Sequence, residues 1–190
     1  MKKHLSSPLL KGALIGSLAV LGMKAYTTAK AARSTLATIP ELDLARYAGT
    51  WYEIARFPNR FERKCAGYTT ATYTALPDGS IKVENRCRRA DGGEELAVGQ
   101  AHLVGAPGSP RLKVRFAPAA LSFIPLVWGD YWVIDLDPDY SLAAVSEPGR
   151  DYLWILARTP HVDPDRYDAL LARLAEQGLE VGRLEPTRQA

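Results

Sequence analysis

"GTWYEIARFPNRFE", residues 49–62, packs a Trp, a Tyr, two Phe and an Ile beside two Arg and two Glu, with a Pro near its middle. The aromatic residues call for burial and the charged residues for water. A segment of this kind begins in a core and ends at a rim. Its reading depends on what lies around it.

Downstream, short β-rich runs alternate with turn signals. The runs are 50–57, 66–76, 80–88, 95–104, 111–116, 130–136, 141–147 and 151–158. "PDG", "ADGGE", "GAPGSP", "DPDY" and "EPGRD" punctuate them. Strands at this spacing imply an antiparallel sandwich or barrel. Closing eight strands leaves an interior wide enough for one small ligand. The long interruption "APAALSFIPLVWG" (117–129) is apolar and holds two Pro, so it is no central strand. Apolar loops of this type suit a lid or a contact surface.

The last part changes period. In "DPDRYDALLARLAEQG" (163–178), Tyr167, Leu170, Leu171, Leu174 and Ala175 recur at helical spacing. Asp163 is the expected N-cap, Pro164 the first helical residue and Gly178 the C-cap. One apolar face predicts packing on the outside of the sheet. "LEVGRLEP" offers a ninth short strand, and Asp43 caps a helical turn before Tyr47.

The formal charge of +3 comes from the N-terminus: residues 1–32 carry five Lys and no acid, leaving 19 basic against 21 acidic residues in the rest. A near-neutral folded part argues against nucleic-acid binding. "MKKH", the apolar run 13–23 and the small residues of "AKA" (29–31) read as a signal peptide or N-terminal anchor over 1–32. The folded domain is then 33–190, and the protein is expected to be exported. No Cys follows the apolar run, so tethering through a lipid-modified cysteine is not expected.

Cys65 and Cys87 suit an exported protein. The "PDG" turn sets a hairpin in which Tyr73 faces Val83 and Thr69 faces Cys87. On a flat ladder Cys65 then lies about 13 Å from the position a bridge requires, against a limit of about 7 Å. A disulfide therefore requires the second strand to curl. Two buried thiols are the alternative.

Three segments together resemble the lipocalin family. The opening stretch is similar to its first signature, "GDYWVIDLDPDY" (129–140) to its second and "YLWILART" (152–159) to its third, in the family's order. The resemblance is nearest to the bacterial outer-membrane subgroup, apolipoprotein D and plant temperature-induced lipocalins, and covers about residues 41–185. It implies an all-β fold: an eight-stranded antiparallel up-and-down barrel with a C-terminal helix packed outside. It also implies that Trp51 closes the narrow end with Arg158 across its indole, that Gly49 allows a close approach, and that Asp137 and Tyr140 fill the Asp-x-x-Tyr positions.

The candidate lining of the cup is Tyr73, Val83, Asn85, Val98, Val114, Phe116, Trp132, Val133, Tyr152 and Trp154. This aliphatic and aromatic set suits an acyl chain better than a sugar. Phe123 and Trp128 on the apolar loop are candidates for contact with ligand or bilayer. An anionic headgroup would meet Arg115, or Arg60, Arg63 and Lys64 on the first loop, or the cluster Arg86, Arg88 and Arg89. His4, His102 and His161 are scattered, and no nucleophile elbow, metal-binding pair or phosphate loop is present. No catalytic residue, metal or cofactor is expected. The expected function is uptake of one small hydrophobic lipid, a fatty acid or lysophospholipid, for storage or transport in the bacterial envelope, with the folded protein in the periplasm. The alternatives are a lipid-modifying enzyme on the same scaffold and a filled barrel that docks a partner.

Overall fold

The computed structural model describes residues 35–189. The signal or anchor expected over 1–32 lies outside the described residues. The chain forms β1 (Gly49–Arg56), β2 (Cys65–Ala75), β3 (Ile81–Arg89), β4 (Glu94–Leu103), β5 (Arg111–Arg115), β6 (Gly129–Leu136), β7 (Leu142–Ser146) and β8 (Leu153–Ala157). Each strand pairs antiparallel with the next, and β1 closes the ring by pairing with both β8 and β2. This is the expected barrel. A one-turn helix, α1 (Leu44–Tyr47), enters it, with the Asp43 carboxylate accepting from the amides of Ala45 and Arg46.

Alternation along the strands divides the apolar residues into two cores. One lies inside the barrel and includes Trp51, Tyr73, Val83, Leu112, Val133, Val145 and Leu156. The other lies between the barrel wall and α2 (Pro164–Glu176), and joins Phe57, Ile134, Leu153 and Ile155 to Leu170 and Leu174 of the helix. Strands β7 and β8 serve both cores, so Leu142–Ser146 are buried throughout. The helix starts as its sequence requires: Asp163 accepts from the Arg166 amide and Pro164 follows. Gly178 takes φ +80°, but the C-cap itself is Gln177, one residue earlier than expected.

Bulges decide which residues face inward. One between Glu53 and Ala55 shifts the register of β1. Trp51 and Glu53 face the interior, whereas Ala55 and Phe57 lie in the outer core. Two more bulges interrupt β2 at Cys65/Gly67 and Gly67/Thr70. They bring Cys65 opposite Arg89, two residues nearer than a regular ladder allows, and Tyr73 still pairs with Val83. Cys65 and Cys87 form a disulfide with Cα atoms 5.6 Å apart. The curl that the flat register demanded is this pair of bulges.

Where β2 diverges, residues 185–189 fill the seam. β9 (Glu185–Pro186) pairs with Ala55 and Arg56. The Tyr68 amide donates to the Arg188 carbonyl, and the Gln189 amide nitrogen donates to the carbonyls of Glu53 (2.7 Å) and Thr69 (3.0 Å). Gly67, at φ +135°, is required here, because a Cβ on it would lie 2.8 Å from the Arg188 carbonyl oxygen.

Candidate functional site: the barrel interior and its mouth

Connection order places α1 and the turns 76–80, 104–110 and 137–141 at one end of the barrel. The loops 57–64, 90–93, 116–128 and 147–152 lie at the other. The first end is sealed. Trp51 is fully buried and its indole N–H donates to the Tyr47 carbonyl at 2.8 Å. The Arg158 guanidinium stacks 3.9 Å from the indole centre. It donates to the carbonyls of Arg46, Tyr47, Ala48, Thr50 and Tyr140 at 2.7–3.2 Å. A planar fork with several donors meets these carbonyls as lysine cannot. Gly49, at φ +94°, admits the guanidinium, since a Cβ there would sit 3.3 Å from Nη1.

Asp137 and Tyr140 brace this end. Asp137 accepts from the Ser141 amide and hydroxyl, the Leu142 amide and Arg166. Burial works to raise the Asp137 pKa, but those hydrogen bonds and the Arg166 charge hold the carboxyl below its ordinary value. Tyr140, at φ +56°, accepts from the Asp43 amide through its hydroxyl and carries the Arg46 guanidinium over its ring.

Above Trp51 lies a layer of three tyrosines. The Tyr131 hydroxyl is 2.7 Å from that of Tyr47 and 2.8 Å from that of Tyr73. Burial pushes all three phenols up, Tyr73 to about 12. The inner core around and beyond this layer includes Val83, opposite Tyr73, Leu112, opposite Tyr131, and Val114, Val133, Val145 and Trp154. Asn85 also lies on the inward side of β3, pairing with Ala97. Val114, Tyr131 and Trp154 pack against this inner core and are only half-buried.

A polar cluster that the sequence reading missed lines the seam. Glu53 is 3% exposed and accepts from the Thr187 hydroxyl. Arg56 Nε lies 2.8 Å from Glu62, which also accepts from the Trp154 indole N–H at 2.9 Å. Burial, then the Glu62 charge, raises the Glu53 pKa well above the carboxylate range. Strict alternation would have put Glu53 and Arg56 on opposite faces, and only the bulge brings them together.

The open end is apolar. Phe61, Phe116, Leu121, Phe123 and Leu126 are all exposed, Phe123 by 78% and Leu126 by 93%. Phe61 meets Tyr152 at 5.7 Å, and Tyr152 stacks on Trp154, an aromatic run from rim to interior. Phe116 lies over Gly99, where a Cβ would come within 2.8 Å of its ring.

Several expected lining residues are placed elsewhere. Val98 pairs with Glu84 and lies on the outer face, 50% exposed. Trp132 also faces outward, under the Arg111 guanidinium and beside the helix core. Its neighbours Tyr131 and Val133 take the two inward positions, so period-two geometry excludes it. Arg115 is no mouth cation: it pairs with Gln100, outside, donating to its side chain at 3.1 Å and to the Ala117 carbonyl. Trp128 packs edge-on against His102 on that same outer surface, its N–H given to the Ser122 carbonyl. Lys64 pairs with Glu95, Arg86 with Glu84 and Arg89 with Asp91 and Glu95, while Arg88 covers Tyr68. Among the described residues no ion pair engages Arg60 or Arg63. A cleft of about 430 Å³ outside the barrel, beside α2, is lined by Asp135–Arg173 and Asp137–Arg166 pairs that satisfy each other.

The lipocalin-like domain family model matches residues 42–189, and the chain belongs to the lipocalin family, whose members bind small hydrophobic ligands. It is 39% identical to temperature-induced lipocalin-1 of Arabidopsis thaliana over 83% of this chain and 85% of that protein. It is 42% identical to the outer membrane lipoprotein Blc of Escherichia coli K12 over 76% and 78%. Apolipoprotein D of Macaca fascicularis is 33% identical over 77% of each. Insecticyanin from the tobacco hornworm shares the fold at a TM-score of 0.64 and 16% identity, over 83% of this chain and 86% of that one. Such relatives are typically binding or transport proteins and not enzymes. Cys65 and Cys87 are joined, so neither offers a thiol nucleophile. No helix among the described residues is long and apolar enough to cross a membrane.

Proposed function

We propose that this protein is an exported carrier that holds one fatty acid or lysophospholipid in its barrel, with the acyl chain inward and the headgroup at the mouth. The observation that carries this reading is the polarity profile of the interior: a floor sealed by Trp51 and Arg158, walls that are apolar except at Asn85 and Glu53, and an apolar rim beside Arg60 and Arg63, which make no ion pair among the described residues. Each methylene buried contributes about 0.8 kcal/mol before ordering costs. A long chain therefore supports micromolar binding without many polar contacts. Arg60 and Arg63, next to Phe61, are placed to meet a carboxylate or phosphate. Phe123 and Leu126 are suited to touch a bilayer during loading. The similarity to outer membrane lipoproteins favours a place in a bacterial envelope.

Native mass spectrometry of the protein purified from its own envelope, followed by denaturation and lipid identification, tests this. One acyl species at near one-to-one stoichiometry is expected. A protein that carries no lipid and takes up neither palmitate nor lysophosphatidylcholine would overturn the reading in favour of a filled barrel.

A further inference from the structure

The tyrosine layer has a donor to spare. Three phenols carry three O–H hydrogens, and the two contacts Tyr47–Tyr131 and Tyr131–Tyr73 use two of them. Among the described residues no other acceptor meets any of the three oxygens. One O–H is therefore left without an acceptor among the described residues, in an interior where an unmet donor is costly. We propose that this layer is a hydrogen-bond donor subsite that takes a neutral carbonyl oxygen at the leading end of an apolar ligand. The inference rests on the carrier reading and narrows its ligand class. It points to long-chain lipids oxidised to a ketone or aldehyde at the end remote from the headgroup.

Charge decides against an anion in this position. The nearby guanidinium, Arg158, lies at the Trp51 floor and is committed to five carbonyls. A carboxylate at the tyrosines would be desolvated without a free counter-ion, since Arg56, beside Glu53, is already paired with Glu62 at 2.8 Å. A neutral carbonyl needs only the donor. The phenols also remain protonated at physiological pH, because burial holds them high. Reach is satisfied because Tyr131 and Val114 retain accessible surface inside the barrel. Val114, Val145 and Trp154 on the inner face offer apolar surface to the hydrocarbon body of the ligand.

The test uses the full chain stripped of bound lipid, titrated with octadecanoic acid and with oxo-octadecanoic acids whose ketone is moved stepwise toward the methyl end. One position near that end is expected to bind about five- to tenfold tighter than the saturated acid. Its carbonyl stretch in the complex should move to lower wavenumber than in alkane. Removing one hydroxyl leaves a shorter relay that still has a spare donor, so the variant required is the triple Tyr47→Phe, Tyr73→Phe, Tyr131→Phe. It should bind octadecanoic acid and every oxo acid of the series with one affinity, losing the preference, and it should lose the spectral shift. Equal affinity across the series, or an alkane-like carbonyl stretch in the parent complex, overturns the subsite while leaving the carrier intact. If neither octadecanoic acid nor any oxo acid binds, the carrier reading falls and the subsite with it.

Discussion

Arg158 reaches from the end of β8 to Trp51 at the start of β1, 107 positions away in the chain, and stacks on its indole while holding five main-chain carbonyls. The contact ties the two strands that close the barrel to the entry helix. Arg158→Lys keeps the charge but cannot reproduce the fork. A loss of about 2–4 kcal/mol is expected, from carbonyls left without donors. Urea denaturation checks it, and a midpoint equal to the parent's would show that the stack is ornamental.

The disulfide encloses a loop with a sequence separation of 22 and fixes the bulged start of β2. Replacing both cysteines by Ser should cost about 3 kcal/mol. Addition of reductant to the parent should lower its melting temperature toward that of the double variant. No response to reductant would contradict a structural bridge.

Two carboxyls give stability opposite slopes with pH. Glu53 has a raised pKa in the folded state, from burial and then Glu62. The stability linked to it is fully present below the unfolded value of about 4.3 and is lost as pH rises through the folded value. Asp137 has a lowered pKa, so its contribution is present above the unfolded value and lost as pH falls through the folded one. Urea midpoints of Glu53→Gln should lack the parent's decline on the rising side. A parallel curve would remove Glu53 from the account.

Inward and outward positions should separate in a binding assay. Val114→Trp fills the axis and should lower palmitate affinity at least tenfold. Val98→Trp, on the outer face, should bind as the parent does. If both variants behave alike, the ligand does not occupy the barrel.

The apolar loop can be tested without disturbing the core, because Phe123 and Leu126 are largely exposed. Burying each such side chain in a bilayer contributes about 1.5–3 kcal/mol. Phe123→Asp with Leu126→Asp should leave the melting temperature unchanged and lower co-sedimentation with phosphatidylcholine–phosphatidylglycerol vesicles at least tenfold. Unchanged sedimentation would leave the loop a simple cover.

Strand positions, the "PDG" hairpin and the Asp163 cap were legible because each rests on local chemistry: alternation, turn residues and side-chain capping. The pairing of Trp51 with Arg158 was legible only through its resemblance to known signatures. Inward parity failed at Trp132 and Val98, since the expected lining was chosen by residue type and was not constrained by alternation within each strand. Glu53 was missed because a bulge leaves no mark in composition. The Tyr47–Tyr131–Tyr73 relay joins residues 58 and 84 positions apart, and no local pattern announces it.

Residues 185–189 have a consequence for the order in which the molecule assembles. The Gln189 side chain supplies the bonds that β1 and β2 cannot make to each other at Glu53 and Thr69. A chain that emerges from the ribosome N-terminus first presents all eight strands before it can complete this joint. Until then the margins of β1 beyond Tyr52 and of β2 before Thr70 are unpaired edges, the feature that recruits other strands into aggregates. Completion of this seam thus waits on residues made after all eight strands, and a chaperone that shields nascent sheets would have a long task there.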